Sequence, residues 1–410
     1  MWGSPHSRRY NGSVATLGFE EARRAVLDRV RAARQLPPAV TVSLGEATAR
    51  VLAEDIAADR DYPPLNKSVR DGFAIRATDA PGTFRVLGEV RAGEQFSGAV
   101  GTREAVEIMT GAPLPAGADA VVMVEHTARS NGQMSTSRAI RAGENFTPAG
   151  VEARSGEIVV RRGVRLGYAE ISMAATVGRA SVRVFERPRV AILTTGDEIV
   201  GIEQQPAPWQ LRNSNLSSLT AQVARAGGIP VPMPTAPDDY DATGALIEQG
   251  LATDLLLLTG GVSAGKYDLV ELVLADLGAE FFFDRVRIQP GQPLVFGSVR
   301  DKFFFGLPGN PASTMVTFEV FARAALDLIS GMEETGLPLL LARLETGFTQ
   351  KPGLTRFLPA RLAPESASVA PVSWRGSGDV AALARANAFV VTEPERDAWS
   401  AGELIRVLPR

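Results

Sequence analysis

The chain has 410 residues, 45% of them hydrophobic and 22% charged, with a net charge of −3 and a pI near 5.7. These values describe an ordinary soluble globular chain of two to four domains, and they exclude a basic nucleic-acid footprint. Cysteine is absent and histidine is confined to His6 and His126, which argues against disulfides, thiolate nucleophiles, a Ser-His-Asp triad and histidine-rich metal sites. Carboxylates must then carry any acid–base or metal chemistry. Lysine occurs only at Lys67, Lys266, Lys302 and Lys351, so arginine and backbone N–H groups are left to grip anions.

Residues 1–16 are polar and rich in glycine and serine, the composition of a disordered tail. Ser7-Arg8-Arg9 has no apolar segment after it to make a signal, and no run reaches the length of a membrane span. The cytoplasm is the expected location. Residues 18–34 place Phe19, Ala22, Val26, Leu27 and Val30 on one helical face, which Pro37-Pro38 ends. Residues 43–54 repeat that pattern at Leu44, Ala47, Val51 and Leu52 and read as a second helix. From about residue 54 the texture turns to short alternating runs with many glycines, and 86–92, 105–110 and 120–126 read as strands of a small β domain. A short helix is expected over 168–177, and Pro188 marks a boundary.

From 189 to 330 strands and helices alternate, which implies a mainly parallel α/β sheet with ligands outside the carboxyl ends of its strands. Leu255 to Leu258 is a wholly apolar run, followed by Gly260, Gly261 and Gly265 and then by Asp268 and Glu271 at capping-box spacing. Strand, glycine loop and helix start together form an anion cradle, although a glycine loop alone is often only structural. Three such loops fall at strand ends: Thr195-Gly-Asp-Glu198, Gly260 to Asp268, and Leu307-Pro-Gly-Asn-Pro311, where Pro311 starts a helix that Asn310 would cap. Their convergence points to a phosphate-bearing small ligand. Residues 336–410 return to β texture, with strands at 339–344, 357–362, 389–392 and 404–408 and a simple turn at Gly376-Ser-Gly-Asp379.

Taken together, these loops resemble those of the molybdopterin molybdenumtransferase (molybdenum insertase) family, in one order from about residue 17 to the end. The matching segments include Lys67-Ser-Val-Arg-Asp-Gly-Phe-Ala, Glu107-Ile-Met-Thr-Gly-Ala-Pro-Leu-Pro and Ala118-Asp-Ala-Val-Val-Met-Val-Glu. Further matches are Val190 through Glu198, Arg212-Asn-Ser-Asn, Gly260 through Asp268, Pro290-Gly-Gln-Pro, Leu307-Pro-Gly-Asn-Pro-Ala-Ser, Gly376-Ser-Gly-Asp and Ala384-Arg-Ala-Asn. The chain departs from the family at Asn66-Lys67, at Arg70, at Glu152, and at Arg285, Gln289 and Gln292 where lysines are common.

The resemblance implies a multidomain α/β and β fold. Its parts would be a tail at 1–16, an elongated linker and dimerisation domain at 17–53 plus 153–187, and a small β domain at 54–152. A parallel α/β molybdopterin-binding domain would follow at 188–331, and a C-terminal barrel-like β domain at 336–410. It also implies a homodimer with active sites shared between subunits, and a reaction in which adenylylated molybdopterin and molybdate give molybdenum cofactor and AMP with Mg2+. Transient contact with a molybdopterin adenylyltransferase and with molybdoenzyme maturation factors is compatible with that reading; nucleic acid and membrane are not implied. Asp71, Thr110, Glu198 and Asp268 fall on the family's catalytic positions, with Glu198 and Asp268 as metal ligands and Asp238 as a further acidic position. Gly260, Gly261, Ser263, Arg285, Pro308, Gly309 and Asn310 fall where the cofactor is bound. Read without the family, Asp71 could be the turn partner of Gly72, Thr110 a strand-end hydroxyl, Glu198 a solvated helix-start carboxylate and Asp268 an N-cap. A scaffold without catalysis is the rival from another class. A molybdopterin adenylyltransferase is the nearer rival, and would not need 17–187 or 336–410.

Overall fold

In the computed structural model, residues 16–260 and 269–410 are described. The tail residues 1–15 and the loop residues Gly261 to Asp268 lie outside them. The centre is a six-stranded sheet in the order 229–232, 189–194, 255–259, 302–307, 295–299, 280–283. Its first four strands are parallel, 295–299 runs antiparallel to them, and 280–283 pairs antiparallel with 295–299. Both faces of this sheet are covered, which is why its strands read as unbroken apolar runs. Leu255 and Leu257 join one core with Val190, Ile192, Phe303 and Phe305, whereas Leu256 and Leu258 join the other with Ala191, Leu193 and Phe304. Each of the four leucines is at most 1% exposed, so each burial stabilises the module by roughly 1.5–3 kcal/mol.

The helix over Phe19–Ala33 forms as its spacing requires, and its buried face Phe19, Ala22, Val26 and Val30 packs into the α/β core. Phe19 meets Phe321 and Phe357 edge-on, at ring separations of 5.6 and 5.2 Å, and so joins that core to the C-terminal barrel. By packing, this helix goes with the α/β module rather than with residues 39–53, to which the sequence division joins it. Thr16–Leu17 pairs with Arg285–Val286, so Thr16, which the sequence division assigns to the tail, belongs to a strand.

The helix expected over 43–54 does not form. One 3-10 turn at Leu44–Glu46 is followed by Ala49 at a positive φ of 62°, and Val51 and Leu52 then bridge to Arg165 and Val184. The apolar spacing suits a helix, but these residues bury themselves by pairing across a small unit built on 39–43 and 181–185. An ion pair of 2.8 Å from Arg165 to the buried Asp327 ties this unit to the α/β module.

The small β domain is a six-stranded sheet in the order 120–123, 72–75, 104–108, 82–90, 133–136, 128–130. In the C-terminal module, strands 355–363, 368–371, 340–344, 404–409 and 388–392 follow one another, and 388–392 pairs back to 355–363, closing a barrel. Ile288–Gln289 of the α/β module adds an edge strand to it.

Candidate functional site

The strand-end loops of the central sheet open onto one cavity of about 680 Å³, within the range of small-molecule sites. Thr195, Glu198, Thr259, Gly260, Pro308, Gly309 and Asn310 all line it. Thr194 and Thr259 end adjacent parallel strands, so the two loops leave side by side, and the Thr195 N–H donates to the Thr259 carbonyl at 3.0 Å. Gly260 has φ of 89°, and a Cβ there would stand 2.6 Å from the Thr195 carbonyl oxygen, so glycine is required. Gly309 lies against it, its Cβ direction pointing to the Gly260 Cα at 3.5 Å. The Glu198 carboxylate folds back over Gly196, whose added Cβ would stand 2.4 Å from an Oε.

Asn215 ties the loops together. Its Nδ2 donates to Thr259 Oγ1 at 3.1 Å and to the Gly309 carbonyl at 2.8 Å. Asn213 caps the same helix by accepting from the Leu216 N–H and braces Thr194 Oγ1 at 2.8 Å. Thr259 Oγ1 and Thr314 Oγ1 both donate to the Pro308 carbonyl, which holds the Pro-Gly-Asn turn. Asn310 takes the N-cap position with Pro311 at N1 but makes no side-chain cap bond; the Ala312 N–H instead donates to the Ser377 carbonyl of the barrel module at 2.9 Å.

Among the described residues, the charged ones lining the cavity are Glu198 and Arg212. Arg212 donates to the Gln204 carbonyl and has no ion-pair partner among the described residues, so its charge is available to an anion. Two lining residues also carry buried oxygens without a partner among the described residues, Thr195 Oγ1 and Asn215 Oδ1. These atoms, like the Glu198 carboxylate, are oxygens, the ligand type a hard divalent cation takes.

Asp71 and Thr110 come together in the β domain, away from this cavity. Thr110 donates to Asp71 Oδ1 twice, from its N–H at 2.6 Å and from its hydroxyl at 2.7 Å. Those bonds, the backbone one first, hold the Asp71 carboxyl below its ordinary pKa. Gly72 follows because a Cβ there would be 1.9 Å from the Val122 carbonyl oxygen of the neighbouring strand. The Thr110 hydroxyl thus serves the Asp71 carboxylate rather than its own loop. Since the folded pKa is depressed, the stabilisation Asp71 supplies is complete above its unfolded pKa and is lost as pH falls through the folded one. Thr110→Val should raise the Asp71 midpoint in a carboxyl 13C NMR titration; an unchanged or lower midpoint would contradict this account of the pair.

No residue of 54–152 lines the strand-end cavity among the described residues. Arg285 does not line it either. It sits on the strand paired with Thr16–Leu17, displaced by the turn that leads Gln289 into the barrel, where Gln289 Oε1 accepts from buried Arg356 at 2.8 Å. Gly261, Ser263 and Asp268 lie outside the described residues. Sequence reasoning leaves Arg212, Asn213, Asn215 and Gly378 without roles. The Arg212-Asn-Ser-Asn segment at a helix start, facing two glycine loops, is the signal that could have found the first three. Gly378, in the segment read as a simple turn, reaches the cavity from the barrel module.

Comparison with known proteins agrees with this architecture along the chain. Residues 17–178 match the MoeA N-terminal region (domain I and II), 191–328 a probable molybdopterin binding domain, and 341–409 the MoeA C-terminal region (domain IV). The molybdopterin molybdenumtransferase of Staphylococcus aureus (strain COL) is 33% identical over 381 residues, covering 90% of this chain and 91% of its own. That of Staphylococcus epidermidis (strain ATCC 35984) is 32% identical over 380 residues, with 90% of each covered. The crystal structure of the molybdopterin biosynthesis moeA protein from Pyrococcus horikoshii OT3 aligns with a TM-score of 0.80 at 26% identity, over 97% of this chain and 100% of that one. Fold, cavity and matches define a multidomain transferase with a molybdopterin-binding module. The chain belongs to the molybdopterin molybdenumtransferase (MoeA) family, whose place is in molybdenum cofactor biosynthesis.

Proposed function

We propose that this chain transfers molybdenum from molybdate to the dithiolene of adenylylated molybdopterin, releasing AMP, at a site completed by a second copy of itself. The observation that carries the reading is the cavity where three strand-end loops meet, with bare glycine backbone on two sides and an unpaired Arg212 on its rim. A phosphoanhydride laid over Gly260 and Gly309 meets N–H groups with no Cβ between, and Arg212 offsets its charge. Asn215 keeps the two glycine turns in register. Glu198, with Asp268 from a second matching segment, would hold Mg2+, and oxygen donors such as those of Glu198, Asn215 and Thr195 are the type that suits that ion. When bound, Mg2+ supplies charge neutralisation on the phosphates as the anhydride breaks.

In the reaction an oxygen of water or molybdate attacks the AMP phosphorus, the phosphoanhydride bond breaks and AMP leaves carrying that oxygen, while Mo–S bonds to the dithiolene replace Mo–O bonds and any remaining freed oxygen leaves as water with the thiol protons. Asp71 and Thr110 present a carboxylate that stays ionised, and it comes to the cavity from the partner subunit. That the β domain stays off the cavity within one chain supports sharing, because a two-fold dimer then makes two equivalent sites. No helix among the described residues is long and apolar enough to cross a membrane, in keeping with a cytoplasmic enzyme.

The test is AMP release from adenylylated molybdopterin by the purified chain. AMP should appear with molybdate and Mg2+ and fall to background when EDTA removes the metal. No AMP in the complete mixture, or equal release without molybdate, would refute the reading.

A further inference from the structure

A second groove, of about 330 Å³, shares two helices, 214–225 and 311–317, with the strand-end cavity. Its lining is largely apolar, with Met315 from the helix at 311–317, Leu383 from the helix at 380–385, and Phe389 from a barrel strand. The helix over Ser214–Arg225 adds Gln222 and Arg225, and Arg410 also lines it. Gln222 Nε2 donates to the Met315 carbonyl and to Glu319 Oε1, both at 3.0 Å. Two acceptors fix the amide's orientation, so Gln222 Oε1 is left buried with no donor among the described residues. An acceptor in that state lacks the donor that buried polar atoms ordinarily have.

Charge is unbalanced in the same place. The lining holds two guanidinium groups, Arg225 and Arg410, and one carboxylate, Glu319, which already pairs with Arg323 at 3.1 Å. Burial first, and then the Arg225 charge, holds Arg410 below its ordinary pKa.

We propose that this groove binds a small amphipathic carboxylate. An aromatic or other apolar body would cover Met315, Leu383 and Phe389, an N–H or hydroxyl would donate to Gln222 Oε1, and the carboxylate would face Arg225 and Arg410. The volume suits a compact one- or two-ring molecule. The occupant bears on the strand-end cavity, because the two sites lie one turn apart on shared helices: Ser214 and Pro311 line the cavity, Ser218 and Met315 the groove.

Indole-3-acetate is a suitable probe, since it carries all three features, and indole-3-acetamide lacks only the charge. Calorimetric titration of the full chain should show saturable binding of the acetate, at least about tenfold tighter than the amide, as loss of a charge-assisted contact predicts. Arg225→Ala should weaken the acetate by a similar factor. Ala221→Trp fills the groove from an exposed helix position and should abolish binding, with circular dichroism and thermal midpoint unchanged. The proposal fails if the acetate shows no saturable binding, if the amide binds as tightly, or if both variants bind like the parent chain.

Discussion

Replacing Glu198 by glutamine should leave adenylylated molybdopterin bound with near-normal affinity while AMP release falls by roughly a hundredfold or more. The amide keeps the side chain's volume and its fold over Gly196, so the loop geometry survives. What it loses is the negative charge, in a cavity whose other charged lining residue, among the described residues, is the cation Arg212. On the proposed reading, substrate phosphates lie on backbone, Arg212 and the glycine turns, which the substitution does not touch. The expected signature is therefore a fall in turnover with little change in substrate affinity. Single-turnover AMP release alongside equilibrium binding separates the two quantities. A variant that turns over like the parent would reduce Glu198 to a solvated decoration of its loop.

Some of this site is legible in the sequence because it depends on local physics. The run at Leu255 to Leu258 reads as a strand covered on both faces, and the glycine that follows reads as a turn that excludes a side chain. The Pro-Gly-Asn-Pro segment reads as the start of a helix for the same kind of reason. Asn215 is different. An asparagine at a helix start reads as a cap, yet its bonds reach Thr259 and Gly309, partners 44 and 94 residues away. Gly378 belongs to a segment whose spacing shows only a turn, and it reaches the cavity because Ser377 docks on Ala312 from another module. Residues 43–54 fail in the opposite sense: their apolar spacing fits a helix, but pairing with strands that lie far along the chain wins. Local pattern carries elements and turns; the docking of modules decides which turns become a site.

The shared site is tested most directly by mixing two inactive chains. Asp71→Asn removes the carboxylate that Thr110 holds in the β domain, and Glu198→Gln removes the one in the strand-end cavity. Each homodimer then carries a lesion in both of its sites. On the proposed sharing, in a mixed dimer one site would collect both lesions and the other neither, because each site would take its β domain from one chain and its α/β module from the partner. With random pairing about half the dimers are mixed, and one site in two is intact in those. AMP release should therefore recover to about a quarter of the parent activity on co-expression. If each site were built within one chain, every site would keep a lesion, and mixed dimers isolated with two different tags would stay as inactive as either variant alone.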